Sequence, residues 1–169
     1  PKIISVSHSD YRSRWTTTMM HEQARYTDHN VCVHKSGSIT LPSQVPWTCI
    51  PNAPDQSRAA TSLKRDEVYA KYGLDPSFKY LLCLGRINDD KNQKLLVEAM
   101  EHLPSQYRLL LVGNPVVKEY LSKVTSPRTQ ILSAVNHPGD LLSVCHALLS
   151  ASLFEGYGYS MAEAMLARL

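Results

Sequence analysis

Short apolar runs recur along the chain from Tyr80 onward, and each is followed by a polar or helix-spaced segment. The runs YLLCLG, YRLLLVG and TQILSAV, at residues 80–85, 107–113 and 129–135, have the length and composition of buried strands. The stretch ALLSASLF predicts a fourth strand that ends near Phe154. The pattern therefore predicts four strands whose two faces are both covered by other elements.

The segments between these runs show helical spacing. Asp89 or Asp90 is the expected N-cap of the first of these helices. Its predicted apolar face comprises Leu95, Leu96, Ala99, Met100 and Leu103. Pro115 is expected to open a second helix, with the proline in its first turn. Pro138 is expected to open a third helix, and another is expected from Ser160.

Strands that alternate with helices through short links are typical of an α/β fold, a Rossmann-like doubly wound parallel sheet. In such sheets ligands bind at the carboxyl ends of the strands. The polar and glycine residues that follow the predicted strands are Arg86, Gly113, Asn114 and Glu155. These positions are the first candidates for a ligand site.

The first part of the chain has a different pattern. PKIISVSHS predicts one strand, the polar residues 34–46 predict a loop, and WTCI predicts a short strand. A helix over 61–72, closed by Gly73, leads into the regular part. We therefore expect residues 1–50 to be the end of a preceding domain with its crossover, and residues 51–169 to be the α/β domain.

Composition and charge exclude several classes of protein. Of the 169 residues 43% are hydrophobic and 20% are charged, as in globular domains, and the net charge is +3. The positive charge is not gathered in a stripe, so no nucleic-acid partner is expected. No run of ~18 apolar residues predicts a membrane span, and the scattered histidines and cysteines predict no metal site. Cys83 and Cys145, inside apolar runs, are expected to be reduced core thiols of a cytosolic protein.

The segment GRINDDK carries two candidate anion-binding side chains, Arg86 and Lys91. Arginine offers a fork of donors and lysine a point charge, and a helix is expected to begin directly after them, so the segment fits a diphosphate. The alternative is a solvated loop with two surface cations.

The segment FEGYGYSMAEAM carries Glu155 and Glu163 with seven residues between them. Gly156 and Gly158 allow the backbone to approach a ligand closely, and carboxylates beside a diphosphate pocket would accept hydrogen bonds from sugar hydroxyls. Two alternatives stay open. Ser160 and Glu163 have the spacing of a capping box, and Glu155 could be a loop carboxylate in water.

Four segments in order, IPNAPD, LGRINDDKNQKLLVEAM, LLLVGNP and SLFEGYGYSMAEAM, resemble the donor-binding half of the family 4 (group 1) retaining glycosyltransferases of the GT-B fold. The resemblance runs from about Trp47 to the end of the chain. It depends most on the E-x7-E pattern combined with G-R-x4-K upstream. IISVSH is also similar to the last strand of the family's acceptor domain.

The resemblance implies a role for each candidate. Arg86 and Lys91 would bind the donor diphosphate and stabilise the leaving nucleotide, Glu155 would contact hydroxyls of the transferred sugar, and Glu163 would hold the ribose. Backbone N–H groups for sugar and phosphate would come from Gly156, Tyr157, Gly158 and Tyr159. The base would be flanked by Asn114, Pro115 and Ile131. The implied reaction is transfer with retention by front-face displacement, without a divalent metal or a cofactor besides the nucleotide-sugar, for which a UDP-linked donor is the default.

The sequence departs from the family pattern at Ala53 and Pro54, where a glycine is common, and it ends at Leu169, before the family's final strand. We therefore expect an incomplete donor domain, whose glycan, lipid or protein acceptor is bound by an absent N-terminal domain. A cytoplasmic protein, with peripheral contact to a membrane, is expected. A different nucleotide-sugar enzyme such as an epimerase would not be expected to carry both motifs. A non-catalytic nucleotide-binding or assembly module is the main alternative.

Overall fold

The computed structural model describes residues 2–7, 18–19, 21–23, 25–33 and 45–169 of the chain. Within these residues the strands and helices are, in order, β1 Ile4–Ser7, β2 His29–Cys32, β3 Trp47–Cys49, α1 Gln56–Ala59, α2 Arg65–Tyr72, β4 Lys79–Leu84, α3 Gln93–Ala99, β5 Tyr107–Val112, α4 Leu121–Val124, β6 Thr129–Leu132, α5 Gly139–Val144, β7 Ala147–Leu148 and α6 Tyr159–Leu166. Short 3₁₀ turns are present at Asp89–Lys91, Met100–His102 and Lys118–Tyr120.

The chain divides into two compact units, which are described separately. The first unit comprises Pro1–Ala53 and Phe154–Gly158, and the second comprises Pro54–Leu153 and Tyr159–Leu169. In the first unit β1, β2 and β3 form a parallel sheet in that order. Strand β2, HNVC, lies in a segment whose sequence predicts no strand. The loop predicted over 34–46 falls mostly on residues 34–44, which lie outside the described part.

The second unit is built on a four-stranded parallel sheet with the strand order β6-β5-β4-β7. The central strands β4 and β5 begin and end within one residue of their predicted bounds. Leu109, Leu110 and Leu111 of β5 have no exposed surface, as expected of a strand covered on both faces.

Successive side chains of the central strands point into two separate cores. Leu82 and Leu110 pack with apolar residues of α2, α5 and α6 on one face of the sheet. Leu81 and Leu109 pack on the other face with apolar residues of α3 and α4. Helices therefore cover both faces, and the predicted Rossmann-like α/β fold is confirmed.

Strand β7 is much shorter than predicted and ends at Leu148, not near Phe154. It is an edge strand that pairs only with β4 in this sheet, through the pairs Leu81–Ala147 and Leu82–Leu148. The last ladder hydrogen bond runs from the N–H of Leu149 to the carbonyl oxygen of Leu82 at 2.7 Å. Residues 149–154 form no strand, so the strand prediction beyond this point is wrong.

The helix predicted over 61–72 begins four residues late, at Arg65. Thr61 is held in a turn instead, because its hydroxyl accepts a hydrogen bond from the N–H of Leu63 at 3.1 Å and also bonds to Asp140. The predicted end is confirmed, since Gly73 closes the helix in the left-handed conformation with φ of 61°.

Two predicted helix starts are wrong. Neither Asp89 nor Asp90 is the N-cap; the side chain of Asn88 accepts a hydrogen bond from the N–H of Lys91 at 3.2 Å, and a 3₁₀ turn precedes α3. Pro115 does not open a helix, because it forms a parallel β-bridge with Ile87. The start predicted at Pro138 is confirmed, since that proline occupies the N-cap of α5.

The cysteines are free thiols, and Cys83 and Cys145 are buried in the two cores as predicted. Burial raises the pKa of the Cys145 thiol to about 12. Among the described residues, no helix is long and apolar enough to cross a membrane.

Candidate functional site

The loops that follow β4 and β5 meet at two glycines. A Cβ placed on Gly113 would lie 1.8 Å from the carbonyl oxygen of Gly85, so no larger residue fits there without moving the backbone. Gly85 has φ of 145°, a conformation that other residues rarely adopt. The two loops are then joined by hydrogen bonds from the N–H of Ile87 to the carbonyl of Asn114 at 3.0 Å and from the N–H of Val116 to the carbonyl of Ile87 at 3.1 Å.

Arg86 lies at the carboxyl end of β4 with its side chain exposed, between Gly85 and the fully buried Ile87. Its main chain is fixed by hydrogen bonds to a buried side chain. The buried side chain of Gln93 donates from Nε2 to the carbonyl oxygen of Arg86 at 2.8 Å and accepts at Oε1 from the N–H of Asn88 at 3.3 Å. The exposed guanidinium is therefore carried on a fixed backbone.

Lys91 is brought back to the same end of β4. It ends the 3₁₀ turn Asp89–Lys91, and its Cε would lie 3.5 Å from a Cβ built on Gly85. The stem of the lysine thus runs beside Gly85, next to Arg86 in the chain. The structure brings the two predicted diphosphate ligands to one strand end, although they are five positions apart.

The residues predicted to flank a base lie directly after β5 and within β6. Asn114 is exposed, and its side-chain Oδ1 accepts a hydrogen bond from the N–H of Ala134 at 3.1 Å, which joins the loops after β5 and β6. Pro115 is half-buried at its bridge with Ile87. Ile131 lies within β6 and packs against the core under α3 and α4.

Glu163 lies in α6 and is only 5% exposed. Its Oε1 accepts a hydrogen bond from Nε of Arg58 at 2.6 Å, and the same arginine donates from a terminal nitrogen to the carbonyl oxygen of Asn136 at 3.2 Å. Because α6 begins at Tyr159, Ser160 lies inside the helix and not at its N-cap. The capping-box alternative for Glu163 is therefore not observed, and the carboxylate is paired with an arginine that the sequence analysis missed.

The segment Phe154–Gly158 belongs to the first unit and is described by itself. Glu155, Gly156 and Tyr157 are half-buried, and Gly158 is buried with φ of 75°, a conformation that favours glycine. Tyr159, the next residue, is exposed at the start of α6. The chain bends at Gly156 and Tyr157, shortly before α6 begins.

A buried carboxylate that the sequence did not single out lies in α5. Burial alone would raise the pKa of Asp140, but hydrogen bonds from Lys71, Thr61 and Tyr72 outweigh it and lower the pKa below its ordinary value. The network borders an open cavity of about 520 Å³, which Ser57 and Thr61 also line. It joins α2 to α5, and we assign it to the packing of these helices.

Comparisons with protein families and with curated proteins both find glycosyltransferases. The model of the family described as glycosyl transferases group 1 matches residues 78–169, more than half of the chain. The N-acetylgalactosamine-N,N'-diacetylbacillosaminyl-diphospho-undecaprenol 4-alpha-N-acetylgalactosaminyltransferase of Campylobacter jejuni is 27% identical over 92 residues, which cover 52% of this chain and 25% of that protein.

Two solved structures are similar to almost the whole chain. Anabaena HepE in complex with UDP and glucose has a TM-score of 0.84 at 18% identity, over 98% of this chain and 51% of that one. WaaG, a glycosyltransferase involved in lipopolysaccharide biosynthesis, has a TM-score of 0.79 at 15% identity, over 98% of this chain and 54% of that one. The chain thus spans about half the length of these solved structures and a quarter of the curated relative.

Proposed function

Since this chain belongs to the group 1 glycosyl transferases, we propose that it forms the donor-binding part of an enzyme that transfers a sugar from a nucleotide-diphospho-sugar to an acceptor with retention of configuration. In this proposal residues 51–169 form the donor domain and residues 1–50 belong to the acceptor domain and the crossover. The acceptor is bound by parts of the protein outside this chain.

The observation that carries the proposal is the placement of Arg86 and Lys91 together at the carboxyl end of β4. A forked guanidinium and an ammonium at one strand end are suited to a diphosphate, which carries several anionic oxygens. When the bond to the sugar breaks, negative charge grows on that diphosphate. Two cations on a fixed backbone stabilise this charge without reorganising, which lowers the barrier to transfer.

The remaining candidate residues bind the transferred sugar, the ribose and the base of the donor. Glu155 accepts hydrogen bonds from hydroxyls of the transferred sugar, and Glu163 accepts them from the ribose. Backbone N–H groups come from the segment 156–159. The base lies against the ends of β5 and β6, at Asn114, Pro115 and Ile131.

The donor we propose is UDP-linked. HepE, which shares the fold, was solved with UDP and glucose. The Campylobacter relative is named for a diphospho-undecaprenol-linked acceptor, which supports a lipid-linked glycan as the acceptor here. Such an acceptor would place the reaction at a membrane surface. Glycan and protein acceptors without a lipid are the alternatives that an acceptor screen would distinguish.

The test is a calorimetric titration of the chain with UDP, GDP and ADP, followed by UDP-glucose. We expect saturable binding of one nucleoside diphosphate, with UDP preferred, and weaker binding of UMP in a parallel titration. A chain that is folded by circular dichroism and binds none of the three would contradict the donor-site proposal. Retention is tested separately, by the anomeric configuration of the product that the full-length enzyme forms.

A further inference from the structure

The ion pair between Arg58 and Glu163 joins residues that are 105 positions apart. The side chain of Glu163 is almost fully buried, whereas that of Arg58 is 44% exposed. A carboxylate in such a position is stabilised as an anion only if it is paired and hydrogen-bonded. Arg58 supplies both the charge and the hydrogen bond, through Nε to Oε1 at 2.6 Å.

The bond to Arg58 uses one of the two carboxylate oxygens. Among the described residues, the carboxylate of Glu163 has a hydrogen bond at Oε1 only. A carboxylate oxygen accepts hydrogen bonds from hydroxyl groups readily. Oε1 of Glu163 is therefore bonded to Arg58, and Oε2 can accept a hydrogen bond from a ligand.

Arg58 is itself held in place by its surroundings. Asp55 caps the short helix α1, with its Oδ1 accepting from the N–H of Ser57 at 2.9 Å. The end of α1 lies directly against α5, since a Cβ on Gly139 would be 2.1 Å from the carbonyl oxygen of Ala60. The guanidinium also donates to the carbonyl oxygen of Asn136, so it connects α1, α6 and the loop before α5.

We infer that Arg58 is a positioning residue for nucleotide recognition: it orients the carboxylate of Glu163 so that Oε2 accepts from the ribose hydroxyls. This inference rests on the proposed function, in which Glu163 binds the ribose. A carboxylate that is already oriented loses less conformational freedom when the ligand binds, and this raises affinity. Arg58 acts through Glu163 and makes the site select ribonucleotides over nucleotides without ribose hydroxyls.

The experiment compares binding of UDP and 2′,3′-dideoxy-UDP to the wild-type chain, Arg58→Gln, Glu163→Gln and the double variant. We expect Arg58→Gln to weaken UDP binding by about tenfold and to leave dideoxy-UDP almost unchanged, because only the ribose hydroxyls use the oriented oxygen. The double variant should bind UDP no more weakly than Glu163→Gln alone, since the two residues act as one unit. The control is Arg25→Gln, which removes the same charge from an exposed pair with Glu22.

Each outcome decides between the explanations. Equal loss of UDP and dideoxy-UDP binding in Arg58→Gln, or no loss at all, would overturn the inference. If Glu163→Gln discriminates between the two ligands and Arg58→Gln does not, the inference fails while the proposed function stands; if the wild-type chain binds neither ligand, the proposed function itself fails. Should Arg58→Gln not fold, Arg58→Lys keeps the charge but not the fork, and an unchanged preference for UDP in that variant would also count against the inference.

Discussion

The side chain of Gln93 donates to the carbonyl oxygen of Arg86 at 2.8 Å, and only 1% of Gln93 is exposed. The buried amide of Gln93 thus fixes the main chain of Arg86, whose side chain is exposed to solvent. It also accepts from the N–H of Asn88, so both ends of the short segment 86–88 are attached to α3. The conformation of this loop is set by a residue that no ligand would touch.

Replacing Gln93 with leucine should therefore affect both stability and binding. The carbonyl of Arg86 and the N–H of Asn88 lose their buried partner, which we expect to cost about 1–3 kcal/mol in the free energy of unfolding. UDP binding should weaken as well, since the loop that carries Arg86 is no longer held. Urea unfolding and calorimetry measure the two effects.

Gln130→Leu is the matched control for this change. Gln130 donates to the carbonyl oxygens of Tyr72 at 3.2 Å and of Gly73 at 3.4 Å, at the end of α2. The control should lose little stability and bind UDP as the wild type does. Wild-type UDP affinity in Gln93→Leu would contradict the role given to Gln93.

Gly113→Ala is expected to be strongly destabilising. Its Cβ would overlap the carbonyl oxygen of Gly85, which belongs to the backbone and cannot rotate away, so we expect a loss of about 3 kcal/mol. Gly73→Ala is the comparison, because Gly73 has φ of 61° but no atom within 4 Å of the added Cβ. That variant should lose only about 1 kcal/mol, from backbone strain. Thermal unfolding would measure the loss of stability in each of the two variants. Equal losses would show that the overlap at Gly113 is relieved by movement of the loops.

Arg86→Ala should weaken binding of UDP far more than binding of uridine. The guanidinium is expected to contact the diphosphate, and charge-assisted hydrogen bonds of this kind contribute about 1.5–3 kcal/mol, or roughly ten- to a hundredfold in affinity. Lys94→Ala removes an exposed cation that pairs with Glu98, and it should leave both affinities unchanged. Equal loss for UDP and uridine in Arg86→Ala would argue against a diphosphate contact.

The stability of the protein should depend on Asp140 at acid pH. Its pKa is lowered in the folded state, so the carboxylate contributes stability above the unfolded value of about 3.9 and loses that contribution as the pH falls through the folded value. Asp140→Asn should therefore be less stable than the wild type at pH 7, with the difference shrinking below about pH 4. Urea unfolding between pH 2 and 7 would show this, with the exposed Glu98→Gln as control. A constant difference across that range would mean that Asp140 stabilises the fold by packing and not by charge.

The sequence predicted the central strands accurately because a strand buried on both faces is apolar along its whole length. The runs around Leu82 and Leu110 can therefore be recognised as buried strands from their apolar composition alone. Edge elements carry no such signal: the ends of β7 and the whole of β2 depend on pairing with a neighbour, which no local pattern contains. Pro115 was misread because its partner Ile87 lies in a loop distant along the chain.

The candidate site was predictable to a similar degree. The position of Arg86 and Lys91 at the end of a strand could be predicted because both follow an apolar run that identifies the strand. Arg58 could not be found, because it lies in a polar stretch without periodicity and its partner is 105 residues away. Gln93 could not be found either, because the helical pattern of its segment does not distinguish this buried glutamine from a surface residue.

The junction between the loops after β4 and β5 also limits how this site can evolve. Gly85 and Gly113 touch through their backbones, and the hydrogen bonds of Ile87 continue the contact for several residues. An insertion or deletion in either loop would break the register of both. A lineage that acquires a new donor by changing loop length must therefore change the two loops together, whereas a point substitution of the exposed side chain at position 86 or 114 leaves this backbone junction intact.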